Sequence, residues 1–220
     1  MSYIITSESE LSRITAPSLP LATKEYSQQY IDQLNNVLRL YFNRLDNLLA
    51  QLQASSGGAG IRLPYGAFSS DQDQTTTANT ATLMTLNTTD FTNGVTISSS
   101  RITVANAGIY NLQFSTQFEN TSNAIHDMSI WLKQNGVDIP GSTGFVSIPA
   151  RKSASAGQEA HEIVGWNYYL SMTAGQYVEI YWSTTDAAVT IQAYPTSVSP
   201  TRPSTQSVVA TLSFVSALPT

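Results

Sequence analysis

Apolar residues recur along this chain with two different periods, and the change of period divides it. Between residues 27 and 53, Ile31, Leu34, Leu38, Tyr41, Leu45, Leu48 and Leu52 follow one another at alternating spacings of three and four. That 3.5-residue repeat is a heptad seam, and it predicts one amphipathic helix whose stripe packs against further helices in a coiled coil. Val37, Phe42 and Leu49 flank the seam and widen it, and a wide stripe with an aromatic at Tyr41 favours three strands over two. Ser27 stands where an N-cap belongs, and the run Ser55-Ser56-Gly57-Gly58 stops the helix.

Beyond the helix the period falls to two. Tyr110, Leu112, Phe114, Thr116 and Phe118 alternate with Asn111, Gln113, Ser115 and Gln117. The same alternation runs through Met128, Ile130 and Leu132, and through Val164, Trp166, Tyr168, Leu170 and Met172. It returns in Val178, Ile180 and Trp182, in Val189, Ile191 and Ala193, and in Val208, Ala210, Leu212 and Phe214. Turn signals such as Gln134-Asn135-Gly136 and Thr173-Ala174-Gly175 separate the runs. Many short alternating strands predict an antiparallel sandwich or jelly roll, and no helical pattern appears after residue 53.

Two segments obey neither period. Residues 54–63 are a Gly/Ser-rich linker. In residues 1–26, Pro17 and Pro20 interrupt any helix, and Leu11, Ile14, Leu19 and Leu21 keep no sustained spacing. Such an arm has little structure of its own, and its apolar residues fit a docking peptide for a larger assembly. The expected organisation is an arm (1–26), a coiled-coil helix (27–53), a linker (54–63) and a β head (64–220).

Composition narrows the function classes. Charged residues make up 11% of the chain, well under the usual ~25%, and neutral polar side chains fill the gap. Such a surface suits strands that face water or pack against identical copies. The net charge of −5, with basic residues scattered, argues against nucleic-acid binding through a basic face. There is no cysteine, which excludes a disulfide framework, a thiolate metal site and a Cys nucleophile together. The opening residues lack a secretory signal pattern, and no stretch approaches the ~18 apolar residues of a membrane span. The expectation is a protein made and assembled in a cytoplasm, without membrane insertion.

Candidate chemistry is sparse. His126 precedes Asp127 and His161 precedes Glu162, but neighbours on a strand point to opposite faces, so neither pair forms a local relay. No serine sits in a Gly-x-Ser-x-Gly context, and no glycine loop suited to phosphate is present. Asp71 and Asp73 put two carboxylates on one face, a partial calcium site without a third acidic ligand nearby. The expectation is a non-enzymatic protein with no catalytic residue, cofactor or resident metal.

Two resemblances add to this reading. Asp90-Phe-Thr-Asn-Gly-Val-Thr-Ile, followed by Arg101-Ile-Thr-Val-Ala-Asn-Ala-Gly-Ile-Tyr-Asn-Leu-Gln-Phe, resembles a hairpin of the complement-globular-head and tumour-necrosis-factor jelly rolls. In that hairpin a glycine leads into a G-x-Y-x-F core strand; Gly108, Tyr110, Leu112 and Phe114 occupy those positions, with Leu112 in place of the first Phe. Leu170-Ser-Met-Thr-Ala-Gly-Gln-Tyr-Val-Glu-Ile is similar to the family's L-x-L-x-x-G-D-x-V-x-L, with Gln176 where Asp is frequent. Val209-Ala-Thr-Leu-Ser-Phe-Val resembles its last strand, which lies near a threefold axis. The resemblance implies homotrimers with one face of each sandwich buried. On that implication the outward aromatics Trp131, Tyr169, Tyr177 and Tyr181 become the head's trimer interface.

The segment from Leu19 through Tyr26 and Tyr30-Ile-Asp-Gln-Leu-Asn-Asn-Val-Leu-Arg-Leu-Tyr-Phe-Asn-Arg-Leu-Asp-Asn resembles the opening of small virion structural proteins of tailed bacteriophages, those of marine and cyanobacterial phages above all. Together the resemblances imply a homotrimeric head fibre or capsid decoration protein on the virion surface, assembled in the host cytoplasm. Leu11, Ile14, Leu19 and Leu21 would then dock to other virion proteins. The alternative is a tail-fibre tip that recognises a host surface glycan. The loops at 149–160 and 195–206 carry no aromatic residue, which leans towards decoration.

Overall fold

The computed structural model describes residues 16–22, 24–53, 63–155 and 157–219, with backbone alone for 51–53. The chain divides into two units, residues 1–62 and 63–220. Each is taken by itself.

In the first unit, α1 spans Gln28–Gln53, a length of 26 residues. At ~1.5 Å per residue that is about 39 Å of helix. Ser27 caps it: the Tyr30 amide donates to Ser27 Oγ at 3.3 Å, and the Ile31 amide to the Ser27 carbonyl at 3.2 Å. Those bonds satisfy amides that a helix start leaves unpaired. Residues 16–22, with Pro17 and Pro20, have no regular structure. Most of the expected arm, including Leu11 and Ile14, and the linker apart from Leu63 lie outside the described residues. No described helix is long and apolar enough to cross a membrane.

The second unit is built of strands. In chain order they are β1 (Tyr65–Ser70), β2 (Thr82–Leu83), β3 (Thr88–Asn93), β4 (Val95–Ser98), β5 (Arg101–Val104), β6 (Gly108–Asn120), β7 (His126–Gln134) and β8 (Val137–Asp138). There follow β9 (Gly144–Ile148), β10 (Ala160–Met172), β11 (Tyr177–Thr184), β12 (Val189–Ile191), β13 (Ser197–Val198), β14 (Thr201–Arg202) and β15 (Val208–Ser216). No helix follows residue 53 among the described residues, as the change of period predicts.

Two antiparallel sheets hold nearly all of these strands. The first has the order β10-β6-β15-β1-β3, with β12 also on β6. The second has the order β4-β5-β11-β7-β8, with β2 on β11 and β9 on β7. β6 organises the first sheet. It pairs with β10 from Gly108↔Met172 to Asn120↔Ala160, while β15 and then β12 line its other edge. The chain passes repeatedly between sheets, from β1 to β2, back to β3, and on to β4 through Gly94, whose φ of +67° suits glycine. Asn135 and Gly136, at φ of +52° and +80°, close the β7–β8 hairpin that their dipeptide signals.

The residues chosen by alternation fill one core between the sheets. Tyr110, Leu112 and Phe118 from the first meet Ile130, Leu132 and Trp182 from the second, all fully buried. The Phe118 and Trp182 rings lie 5.7 Å apart across the layer. Trp166, Tyr168 and Phe214 are only partly buried and pack against the edge of this core. Part of the 195–206 segment, expected as a loop, is the small β13–β14 hairpin.

Candidate functional site

Three surfaces and two titratable clusters carry the chemistry of this chain. The first surface is the stripe of α1. Leu34, Leu38, Tyr41, Leu45 and Leu48 are half-exposed, Ile31 is exposed, and no side chain from Gln28 to Ala50 is buried. Leu40, Phe42 and Leu49 are also exposed. The Leu52 side chain lies outside the described residues. Leu19 and Leu21, the described part of the expected docking set, are exposed, Leu21 to 92%.

The second surface is the outer face of the first sheet. Register lays it out in rows: Tyr169–Asn111–Ser213, Asn167–Gln113–Thr211 and Gly165–Ser115–Val209. No Asp, Glu, Lys or Arg occurs in these rows. Ile163 and Tyr169 are 67% and 59% exposed, and Val209, Val215, Tyr65 and Phe91 are exposed on the same sheet. Tyr65 and Phe91 pack edge-on at 6.1 Å. Two shallow grooves cross this side, one of about 460 Å³ over Ser115, Ile163, Arg202 and Val209, the other of about 370 Å³ over Tyr65, Phe91 and Thr211. Asn111 Oδ1 is buried here without a hydrogen-bond partner.

The third surface is the outer face of the second sheet. Trp131 and Tyr181 are paired across β7 and β11, with rings 5.9 Å apart and tilted 30°. Lys133 Nζ sits 4.5 Å over the Tyr181 ring, and the Arg101 guanidinium 4.6 Å over Tyr177. Arg101 Nε also donates to Glu179 Oε1 at 3.0 Å, and that carboxylate is only 3% exposed. The four aromatics expected to form one interface are therefore divided. Trp131, Tyr177 and Tyr181 stand together on this face, half-buried by one another and by cations, while Tyr169 lies on the opposite side of the sandwich. One flat interface cannot contain all four.

Each histidine sits in a separate polar cluster. His126 Nε2 faces Ser122 Oγ at 2.7 Å and Asp186 Oδ2 at 3.8 Å. Both partners meet the same ring nitrogen, whereas a triad needs one on each. Ser122 Oγ also contacts the Ala124 amide and carbonyl, so it shapes a turn. In the other cluster, Tyr194 donates its hydroxyl proton to Glu119 Oε2 at 2.6 Å and lies 3.1 Å from His161 Nδ1. Burial, reinforced by the Glu119 carboxylate, pushes the Tyr194 phenol well above its ordinary range. Sequence reading missed this cluster because its members come from β6, β10 and the segment after β12. Asp71 and Asp73 do not converge: Asp71 accepts from Asn87 Nδ2 and Asp73 from the Ala193 amide. Among the described residues no three acidic or imidazole groups are placed to share a metal ion.

No family model matches the chain, and a search of curated proteins finds no relative.

Proposed function

We propose that this chain is a homotrimeric, non-enzymatic structural protein of a bacteriophage virion, a head fibre or capsid decoration protein. The observation that carries the trimer is the heptad seam from Ile31 to Leu48 on a helix with no buried side chain from Gln28 to Ala50. An isolated helix with so broad an apolar stripe is unstable in water, and association with copies of itself removes that stripe. The apolar neighbours Val37, Phe42 and Leu49 favour a three-stranded coiled coil.

The head supports the same reading. Two sheets around one core, a chain that crosses between them repeatedly, and a last strand seated beside the first are features of a jelly roll. The rows of the first sheet's outer face that carry no Asp, Glu, Lys or Arg, with Tyr169 and Val209 among them and Ile163 and Val215 nearby, suit packing against other copies. Trp131, Tyr177 and Tyr181 are then left outside the trimer, which revises the interface expected from sequence. The virion assignment rests on the resemblance of residues 19–47 to phage structural proteins, with residues 1–26 as the anchor. Deletion of residues 1–26 should leave a soluble trimer that no longer joins particles. Particles that still incorporate the shortened chain would contradict the anchor.

A second reading, a tail-fibre tip that binds host surface glycan, is favoured by one observation, the groove beside Trp131. Copy number on the particle separates the two: high copy places the trimer on the capsid, a few copies on the tail.

A further inference from the structure

The outer face of the second sheet holds a groove of about 400 Å³ whose floor is Trp131, Ser129 and Ser183 and whose wall is the 138–143 segment. That volume lies in the range of small-ligand sites. We propose that this groove binds a neutral pyranose sugar, deepening the glycan-binding reading by giving it a site.

The floor is an oriented ring. Trp131 Nε1 donates to Asp138 Oδ1 at 2.8 Å, and Tyr181 flanks the indole at 5.9 Å, so the ring is held from two sides while part of it stays open. A half-exposed indole offers an apolar plane with a polar edge, the chemistry that matches the C–H face and hydroxyl rim of a sugar ring. Hydroxyl partners surround it. Ser129 Oγ and Ser183 Oγ are 2.8 Å apart, so one donates to the other and the second proton is free for a ligand. Asp138 uses Oδ1 for Trp131 and faces Lys133 Nζ with the same atom at 3.5 Å, which leaves Oδ2 to accept from sugar hydroxyls. Thr143 adds a further exposed hydroxyl.

The wall is fixed before any ligand arrives. The Leu132 amide donates to Ser142 Oγ at 3.0 Å, and Ser142 Oγ donates to the Ile139 carbonyl at 2.8 Å. The Ile139 amide returns a bond to the Leu132 carbonyl at 2.9 Å. Ser142 is buried, so this knot ties the wall to β7 and limits the ordering cost of binding. The lining carries one carboxylate and no basic group, and the nearby Lys133 is already engaged by Asp138 and the Tyr181 ring, so an acidic sugar gains no free counter-charge. In the trimer reading this face points away from the self-association face, and each trimer presents three such grooves, which raises weak single-site binding by multivalency.

The test is saturation-transfer difference NMR on the full chain with the methyl glycosides of glucose, galactose and mannose, and with glucuronic acid as the acidic comparison. At least one neutral glycoside should show transfer strongest at its ring C–H protons, and glucuronic acid should bind more weakly than methyl glucoside. Trp131→Ala should weaken binding at least about tenfold. Asp138→Asn, which leaves the indole packing in place, should weaken it by a smaller factor with unchanged circular dichroism. Absence of binding by all three neutral glycosides, or binding unaltered in both variants, would overturn the proposal. The NMR experiment reads the groove and sedimentation reads the trimer, so either reading can fail without the other.

Discussion

Gly165 and Tyr194 show how single residues set this head. Gly165 lies opposite Ser115 on β6, and a methyl group there would sit 2.3 Å from the Phe114 carbonyl oxygen. The obstacle is backbone, so strands would have to shift. Gly165→Ala should cost about 1–3 kcal/mol, a fall of several degrees in Tm by thermal denaturation. Tyr194 sets a pH limit. Its phenol is raised in the folded state by burial and by Glu119, above an ordinary value near 10. The folded chain therefore holds a proton that the unfolded chain releases above about pH 10. Stability from this group is full below that pH and declines as pH rises further. Urea midpoints measured upward from pH 9 should fall less steeply for Tyr194→Phe than for the natural chain. The residues of this cluster were not legible in sequence, because Glu119 and Tyr194 are 75 positions apart and only strand pairing joins them.

At the scale of elements, the two periods were readable because each reflects one buried face. The α1 seam and the Ser27 cap stand where the spacing puts them. Ser27→Ala should cost about 1 kcal/mol of helix stability, seen as lost helical circular dichroism on heating. Leu38→Asp with Leu45→Asp places charge in the middle of the stripe, where it cannot be buried without a large desolvation cost. The doubly substituted chain should lose helix self-association and sediment at lower mass. Strand alternation told inward from outward, and the buried set Met128, Ile130 and Leu132 obeys it. It could not tell which of two sheets an outward residue decorates, and so Tyr169 was grouped with Trp131 although they lie on opposite sides. Alternation also fails in β1, where Ser69 and Ser70 are both buried. The Ser69 hydroxyl bonds Asp90, and the Ser70 carbonyl accepts from the Ser207 hydroxyl.

For the whole molecule, the proposed threefold assembly would cover both the heptad seam of α1 and the outward rows of the first sheet that carry no Asp, Glu, Lys or Arg. The low charge fraction, 11% of residues, fits extensive subunit contacts, since a charge buried in such a contact must give up its hydration. The mass of the full chain in solution, by sedimentation equilibrium near neutral pH, tests this most directly. The account predicts three times the chain mass of 23.8 kDa, held across dilution. A particle at the single-chain mass, or a stable dimer, would contradict it.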